Sequence, residues 1–220
     1  MNPVFITGGT GYVGRPLIDG LLARGYAVHA LVRPGSEAKL PSGATPVLGE
    51  ALDESTFAFA IPPSATLVHL VGTPHPNPAK AAEFQRVDLA SIRATVAAAE
   101  RAAVKHLVYV SVAHPAPVMK AYVAARQKGE ALVTATGIPA TILRPWYVLG
   151  PGHYWPYLLV PAYAILRRLP GTREGAERLG LVTREAMVAA LIRAVEAPMA
   201  TGVRIIEVPQ IRTQNAKRKT

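Results

Sequence analysis

Short apolar runs alternate along this chain with longer segments of helical character. Val4-Phe5-Ile6 predicts a first strand over 3–7, and a helix follows over 12–24, with Gly25 where a helix C-terminal glycine belongs. Ala27 to Val32 predicts a second strand over 27–33, and Thr45 to Gly49 a third. A short helix is expected over 54–60. Thr66 to Val71 is nearly all apolar, as suits a central parallel strand buried on both faces. Phe84, Val87, Ser91, Ile92, Thr95 and Val96 recur at helical spacing and predict a long helix over 80–103. His106 to Ser111 reads as strand five, 119–135 as a helix stopped by Gly137, and Ala140 to Arg144 as strand six. A helix over 184–197 and a strand over 203–208 complete the pattern. Strand and helix in repeated alternation predict an α/β fold with a doubly wound parallel sheet.

The pattern changes after Pro145, where aromatic and turn-forming residues crowd together. The apolar run 157–169 is too short and too broken by proline to cross a membrane. It is expected to cover the sheet or line a substrate pocket, with a membrane surface or a partner as the alternative. The chain therefore divides into a body over 1–150, a small C-terminal extension of the same domain over 151–210, and a tail over 211–220. The tail holds Arg212, Lys217, Arg218 and Lys219 and no acid, and reads as disordered.

Between the first strand and first helix lies Thr7-Gly8-Gly9-Thr10-Gly11-Tyr12-Val13-Gly14. Strand, glycine turn and helix is an arrangement that holds a dinucleotide pyrophosphate on free helix N–H groups. Gly8 would allow the tight turn, Gly11 the approach of the phosphates, and Gly14 close packing of the helix. The second strand ends at Arg33, with Lys39 beyond and no acid at the tip to bind a ribose 2′-hydroxyl. A cation there favours the 2′-phosphate of NADP over NAD. Val71, Gly72 and Thr73 leave the fourth strand where ligands bind in open α/β sheets. His75 on that loop is a candidate acid–base group or a solvated side chain, and His69 reads as a core histidine.

The glycine run, spaced Gly8-x-x-Gly11-x-x-Gly14, resembles the cofactor loop of the extended and atypical short-chain dehydrogenase/reductase superfamily. Within it, the NAD-dependent epimerase/dehydratase-like and NmrA-like proteins are nearest. The resemblance implies a Rossmann-type fold and an NAD(P) cofactor. It also implies that Glu50, Ala51 and Leu52 adjoin the adenine, with Asp53 either a ligand or only a helix cap. Superfamily reductases use a serine and a Tyr-x-x-x-Lys pair. Residues four apart share a helix face, so a cation can sit beside the phenol. The matching positions are Ser111, Tyr122 and Arg126, with arginine where lysine is usual; Lys128 falls off that face. Pro145 would lie by the nicotinamide, and Tyr147 and His153 on the substrate side. The expected function is an oxidoreductase or epimerase/dehydratase-like enzyme acting on a small carbonyl or hydroxyl substrate. The alternative is a non-catalytic NADP(H)-binding sensor or accessory subunit, for which Arg126 in place of lysine speaks. Family analogy also allows subunit pairing through the helices around strands four and five.

Composition changes this picture little. Half of the 220 residues are hydrophobic, enough for a sizeable core in one domain. The absence of cysteine excludes disulfides, thiolate metal sites and a cysteine nucleophile, and fits a cytoplasmic protein. No metal site is identified, and the N-terminal apolar stretch is too short for a signal peptide. The net charge of +10 is spread along the chain, which suits an anionic cofactor better than a nucleic-acid patch.

Overall fold

A computed structural model gives the fold and describes residues 2–152, 158, 163, 166, 168–169 and 171–213. Among these, seven strands form one parallel sheet in the order β3-β2-β1-β4-β5-β6-β9. They are β1 (Val4–Thr7), β2 (Val28–Val32), β3 (Thr45–Leu48), β4 (Thr66–His69), β5 (His106–Val110), β6 (Ala140–Arg144) and β9 (Val203–Glu207). The chain runs outward from β1 to β3, then returns to pair β4 with the other side of β1. The order thus reverses between β1 and β4, and a crevice opens there beyond the carboxyl ends of the strands.

Helices cover both faces. On one lie α1 (Gly14–Leu22) and α5 (Arg184–Glu196), whose Leu17, Ile18, Met187 and Leu191 are buried with Val4, Ile6 and Val68. On the other lie α2 (81–101) and α3 (Lys120–Ala135), where Leu89, Ile92 and Val133 pack with Phe5, Leu67 and Tyr109. Two short elements stand apart from the main sheet. Strands β7 (Tyr147–Leu149) and β8 (Leu181–Thr183) pair in parallel, and α4 (Arg173–Arg178) precedes β8.

The structure corrects several expectations. Residues 54–60 form two 3-10 turns, 54–56 and 58–60, and not one helix; Asp53 caps the first by accepting from Ser55 N–H at 3.0 Å. The long helix α2 is π-helical over Phe84–Leu89. Residues beyond 150 build onto the same sheet: α5 buries its apolar face against it, and β9 pairs with β6. Helix α6 (Val208–Thr213) buries Ile211, and Arg212 donates to the Leu181 carbonyl at 2.7 Å. His153 and most of the run 157–169 lie outside the described residues.

His69 and His106 are fully buried. Burial, with Arg126 nearby, lowers the His69 pKa to about 3, and burial with Arg204 lowers that of His106 to about 4. Both are therefore neutral when folded, while the unfolded chain takes up protons near pH 6.5. Their stabilisation is complete above that pH and is lost as the pH falls toward the folded values. The expected slope is roughly 1.4 kcal/mol per pH unit for each histidine. Urea midpoints at pH 7 and pH 5 measure it; equal midpoints would contradict the neutral, buried placement.

Candidate active site and cofactor crevice

The glycine loop spans the crevice end of β1. Gly8 has a φ of 78°, which turns the chain out of the strand at no steric cost. A Cβ on Gly14 would strike the carbonyl oxygens of Gly8 and of Gly9, the latter at 2.7 Å. Close packing at Gly14 is thus against the loop's own carbonyls, which fixes the loop's curvature. A Cβ on Gly11 would meet only the Gly8 oxygen, at 3.1 Å, so the loop surface there is open. Val13 precedes α1 and supplies no capping side chain. The first N–H groups of α1 therefore have no side-chain acceptor, as a site for a phosphate anion requires. This cradle fits a dinucleotide pyrophosphate.

Thr7 stands at the carboxyl end of β1, where the loop begins. It is fully buried, and its hydroxyl lies 2.9 Å from His69 Nδ1. Thr95 is also 2.9 Å from that nitrogen, and Ser91 is 3.4 Å from Nε2. Thr7 thus anchors the strand end while Gly8 to Gly14 form the cradle, with Gly9 buried and Thr10 half-buried. Arg33 is exposed at the end of β2, and its carbonyl accepts from Ser36 N–H in a tight turn. Glu37, which the sequence reading passed over, opens the next 3-10 turn. Glu50, Ala51 and Leu52 follow β3 at the same edge of the sheet, and Leu52 is exposed.

At the β4 side of the crevice, Val71 and Gly72 are half-buried and Thr73 is buried. Thr73 donates to the Asp88 carboxylate from its N–H at 3.1 Å and from its hydroxyl at 2.6 Å. Asp88 sits in the π turn of α2, fully buried, and pairs with the Arg126 guanidinium at 2.7 Å. Arg126 also donates to the Val110 carbonyl at 2.9 Å. Its guanidinium lies so close under Gly72 that a Cβ there would overlap it. Burial alone would lower the Arg126 pKa; interactions with Tyr122, Tyr109 and Asp88 outweigh it and raise the pKa, so the group stays cationic. Asp88 was missed from sequence. The signal was present, since a carboxylate at 88 puts a charge on the otherwise uncharged helix face running through Phe84, Ser91 and Thr95.

Tyr122 and Arg126 stand one turn apart on α3, with the guanidinium carbon 5.3 Å from the Tyr122 ring centroid. The same ring also packs on Phe84, at 5.0 Å between centroids. Tyr122 lines a narrow cleft with Pro76, Val112, Met119, Trp146 and Tyr147. Ser111 does not join them. Its hydroxyl is covered and lies by Glu130, short of full hydrogen-bond geometry. Side chains alternate along an extended chain, so when Ser111 faces the α3 interior its neighbour Val112 faces the cleft. The position opposite Tyr122 therefore carries no hydroxyl. Pro145 is buried, and its carbonyl accepts from Ala113 N–H at 2.9 Å. His75 is exposed on the loop after β4, with a φ of 48°, and is not among the residues that line the cleft.

A doubly wound parallel sheet with an uncapped glycine cradle at its switch point defines a dinucleotide-binding protein. A family model described as NAD(P)H-binding matches residues 8–152, and the chain belongs to that family. It is 30% identical over 168 residues to a 4-hydroxy-2-methyl-3-oxo-4-farnesyl-3,4-dihydroquinoline-1-oxide ketoreductase of Stigmatella aurantiaca, covering 66% of this chain and 50% of that one. It is 29% identical over 159 residues to a ceramide reductase of Caulobacter vibrioides, covering 68% and 47%. The chain thus spans about half the length of these curated relatives. Among solved structures, a short-chain dehydrogenase/reductase superfamily protein from Agrobacterium tumefaciens with bound NAD matches with a TM-score of 0.69. That match covers 94% of this chain and 77% of the other at 20% identity. No helix among the described residues is long and apolar enough to cross a membrane.

Proposed function

We propose that the protein is an NADP(H)-dependent reductase of an apolar carbonyl compound, with Tyr122 as proton donor. The observation that carries this reading is Tyr122 in an apolar cleft with the Arg126 cation 5.3 Å from its ring. A dinucleotide whose pyrophosphate is held by Gly8 to Gly14 would supply a hydride for the carbonyl carbon. Tyr122 gives its proton to the carbonyl oxygen, and the phenolate so formed stands beside Arg126. Water then returns the proton. Val112 excludes water without polarising the oxygen. The cleft lining carries no formally charged side chain, which suits an apolar substrate, as do the substrates named for the two relatives. Tyr147 lies on the substrate side, while His75 keeps at most an outer role. The cysteine-free composition accords with a cytoplasmic setting.

The test is NADPH oxidation with a panel of apolar ketones and aldehydes. Tyr122→Phe is expected to lower turnover roughly 100- to 10,000-fold while leaving NADPH affinity unchanged. An unchanged turnover number would remove Tyr122 from the chemistry. Arg33→Ala is expected to weaken NADPH binding about tenfold, as loss of a charge-assisted contact does, and to leave NADH binding unmoved. Equal effects on both would discard the preference for NADP.

A second reading is favoured by a specific observation: Ser111 is buried, and Arg126 is held by Asp88 and Val110. A protein so arranged could bind NADP(H) without turnover, as a redox sensor or an accessory subunit. Bound NADPH that no member of the panel oxidises would favour it.

A further inference from the structure

Two arginines stand where the helices that carry them disfavour a cation. Arg15 is in the first turn of α1, which contains no acid, and Arg184 is the first residue of α5. The N-terminus of a helix bears partial positive charge, so a cation there is destabilising unless an anion sits with it. Both arginines line one cavity of about 480 Å³, together with Thr10, Gly11, Tyr12 and Asp19. Asp19 lies one helical turn beyond Arg15, so the end of the cavity nearer the glycine loop is the cationic one. Glu185, which is mostly exposed, lies 3.9 Å from Arg184.

Arg184 is not loosely placed. Thr183 caps α5 by accepting from Ala186 N–H at 3.1 Å, which fixes the backbone at 184. The Arg184 guanidinium carbon lies 5.1 Å from the centroid of the Tyr12 ring. Tyr12 belongs to the glycine loop, and its hydroxyl packs against Gly150 so closely that a Cβ there would overlap it. The segment beyond β7 is thereby joined to the loop through one ring, and a guanidinium rests on that ring. Sequence patterning could not show this, because Arg184 is remote from the glycine run and beyond the residues that the family model matches.

We infer that Arg184, with Arg15, forms a cationic clamp over the cofactor pyrophosphate, so that the C-terminal part of the chain contributes directly to dinucleotide binding. The inference rests on the glycine cradle as the pyrophosphate site. Guanidinium groups suit this role, since they present paired donors to phosphate oxygens in a fixed plane. The clamp is indifferent to the 2′-position and to the redox state of the nicotinamide, and so adds affinity for NADPH and NADH alike.

The test is calorimetric titration of wild type, Arg184→Ala, Arg184→Lys and Arg15→Ala with NADPH and with ADP-ribose, which keeps the pyrophosphate and lacks the nicotinamide. Arg184→Ala is expected to weaken both ligands by about tenfold. Arg184→Lys should recover part of that loss, and Arg15→Ala should behave like Arg184→Ala. Arg15 is exposed, so its replacement leaves the fold intact, and thermal melts establish the same for the others. Affinity for both ligands unchanged in Arg184→Ala would overturn the clamp while leaving the cofactor site in place. Loss confined to NADPH would also overturn it, because the contact would then lie at the nicotinamide or at the 2′-phosphate, the two groups that ADP-ribose lacks. Failure of the wild type to bind either ligand would remove the clamp together with the cradle it rests on.

Discussion

Gly14→Ala is expected to abolish cofactor binding and to destabilise the fold by about 1–3 kcal/mol or more, as overpacking of a tight site does. The added methyl would overlap the Gly8 carbonyl oxygen and approach the Gly9 oxygen to 2.7 Å and its carbon to 2.8 Å. All three belong to backbone, and backbone cannot swing aside as a side chain does. The loop must therefore shift, and with it the N–H groups at the start of α1. Gly11→Ala makes the contrast. Its methyl meets only one oxygen, at 3.1 Å, so stability should change little. The same methyl projects from the exposed face of the loop, so NADPH binding should still weaken. Urea unfolding and NADPH titration of the two variants separate the effects. Wild-type stability in Gly14→Ala would show that the loop does not hold the curvature described.

Asp88→Ala should be the more damaging change. Asp88 accepts from the Thr73 N–H and the Thr73 hydroxyl and forms an ion pair with the Arg126 guanidinium. Its removal leaves Arg126, only 6% exposed, without its carboxylate. Breaking a buried ion pair from one side destabilises by about 3–5 kcal/mol, because the remaining charge is desolvated and uncompensated. For a chain of this size that corresponds to roughly 10 °C in melting temperature. Asp88→Asn keeps an acceptor for Thr73 but not the charge, and should fall between. Asp88→Leu with Arg126→Met should recover much of the loss, since replacing both partners by apolar side chains is often nearly neutral. A double variant no more stable than Asp88→Ala would mean that the carboxylate acts chiefly on the loop after β4.

The sheet was legible because its signals are local. Each apolar run that ends in a turn became a strand, and the glycine run fixed where the crevice would lie. The parallel sense of β9 and the pairing of β7 with β8 were not legible, because both depend on contacts between segments distant along the chain. The site was harder to read for a more specific reason. Ser111 and Val112 are adjacent, and strand alternation sends one to the α3 interior and the other to the cleft. A search for a hydroxyl chooses Ser111, while the packing of α3 on β5 presents Val112. Arg126 was placed correctly beside Tyr122 by the four-residue spacing. Its tether could not be seen until α2 folded over β4 and brought Asp88 within 2.7 Å. Asp88 itself left a trace, as a charge on an otherwise uncharged helix face. Arg184 left none, for nothing along the chain connects it to Tyr12.

The most direct measurement is calorimetric titration of the cofactor-stripped protein with NADPH and with NADH. The account predicts saturable binding of NADPH, tighter than that of NADH, at one site per chain. Binding of neither nucleotide would contradict it, since the glycine cradle, the uncapped α1 and the proposed chemistry at Tyr122 all depend on that one ligand.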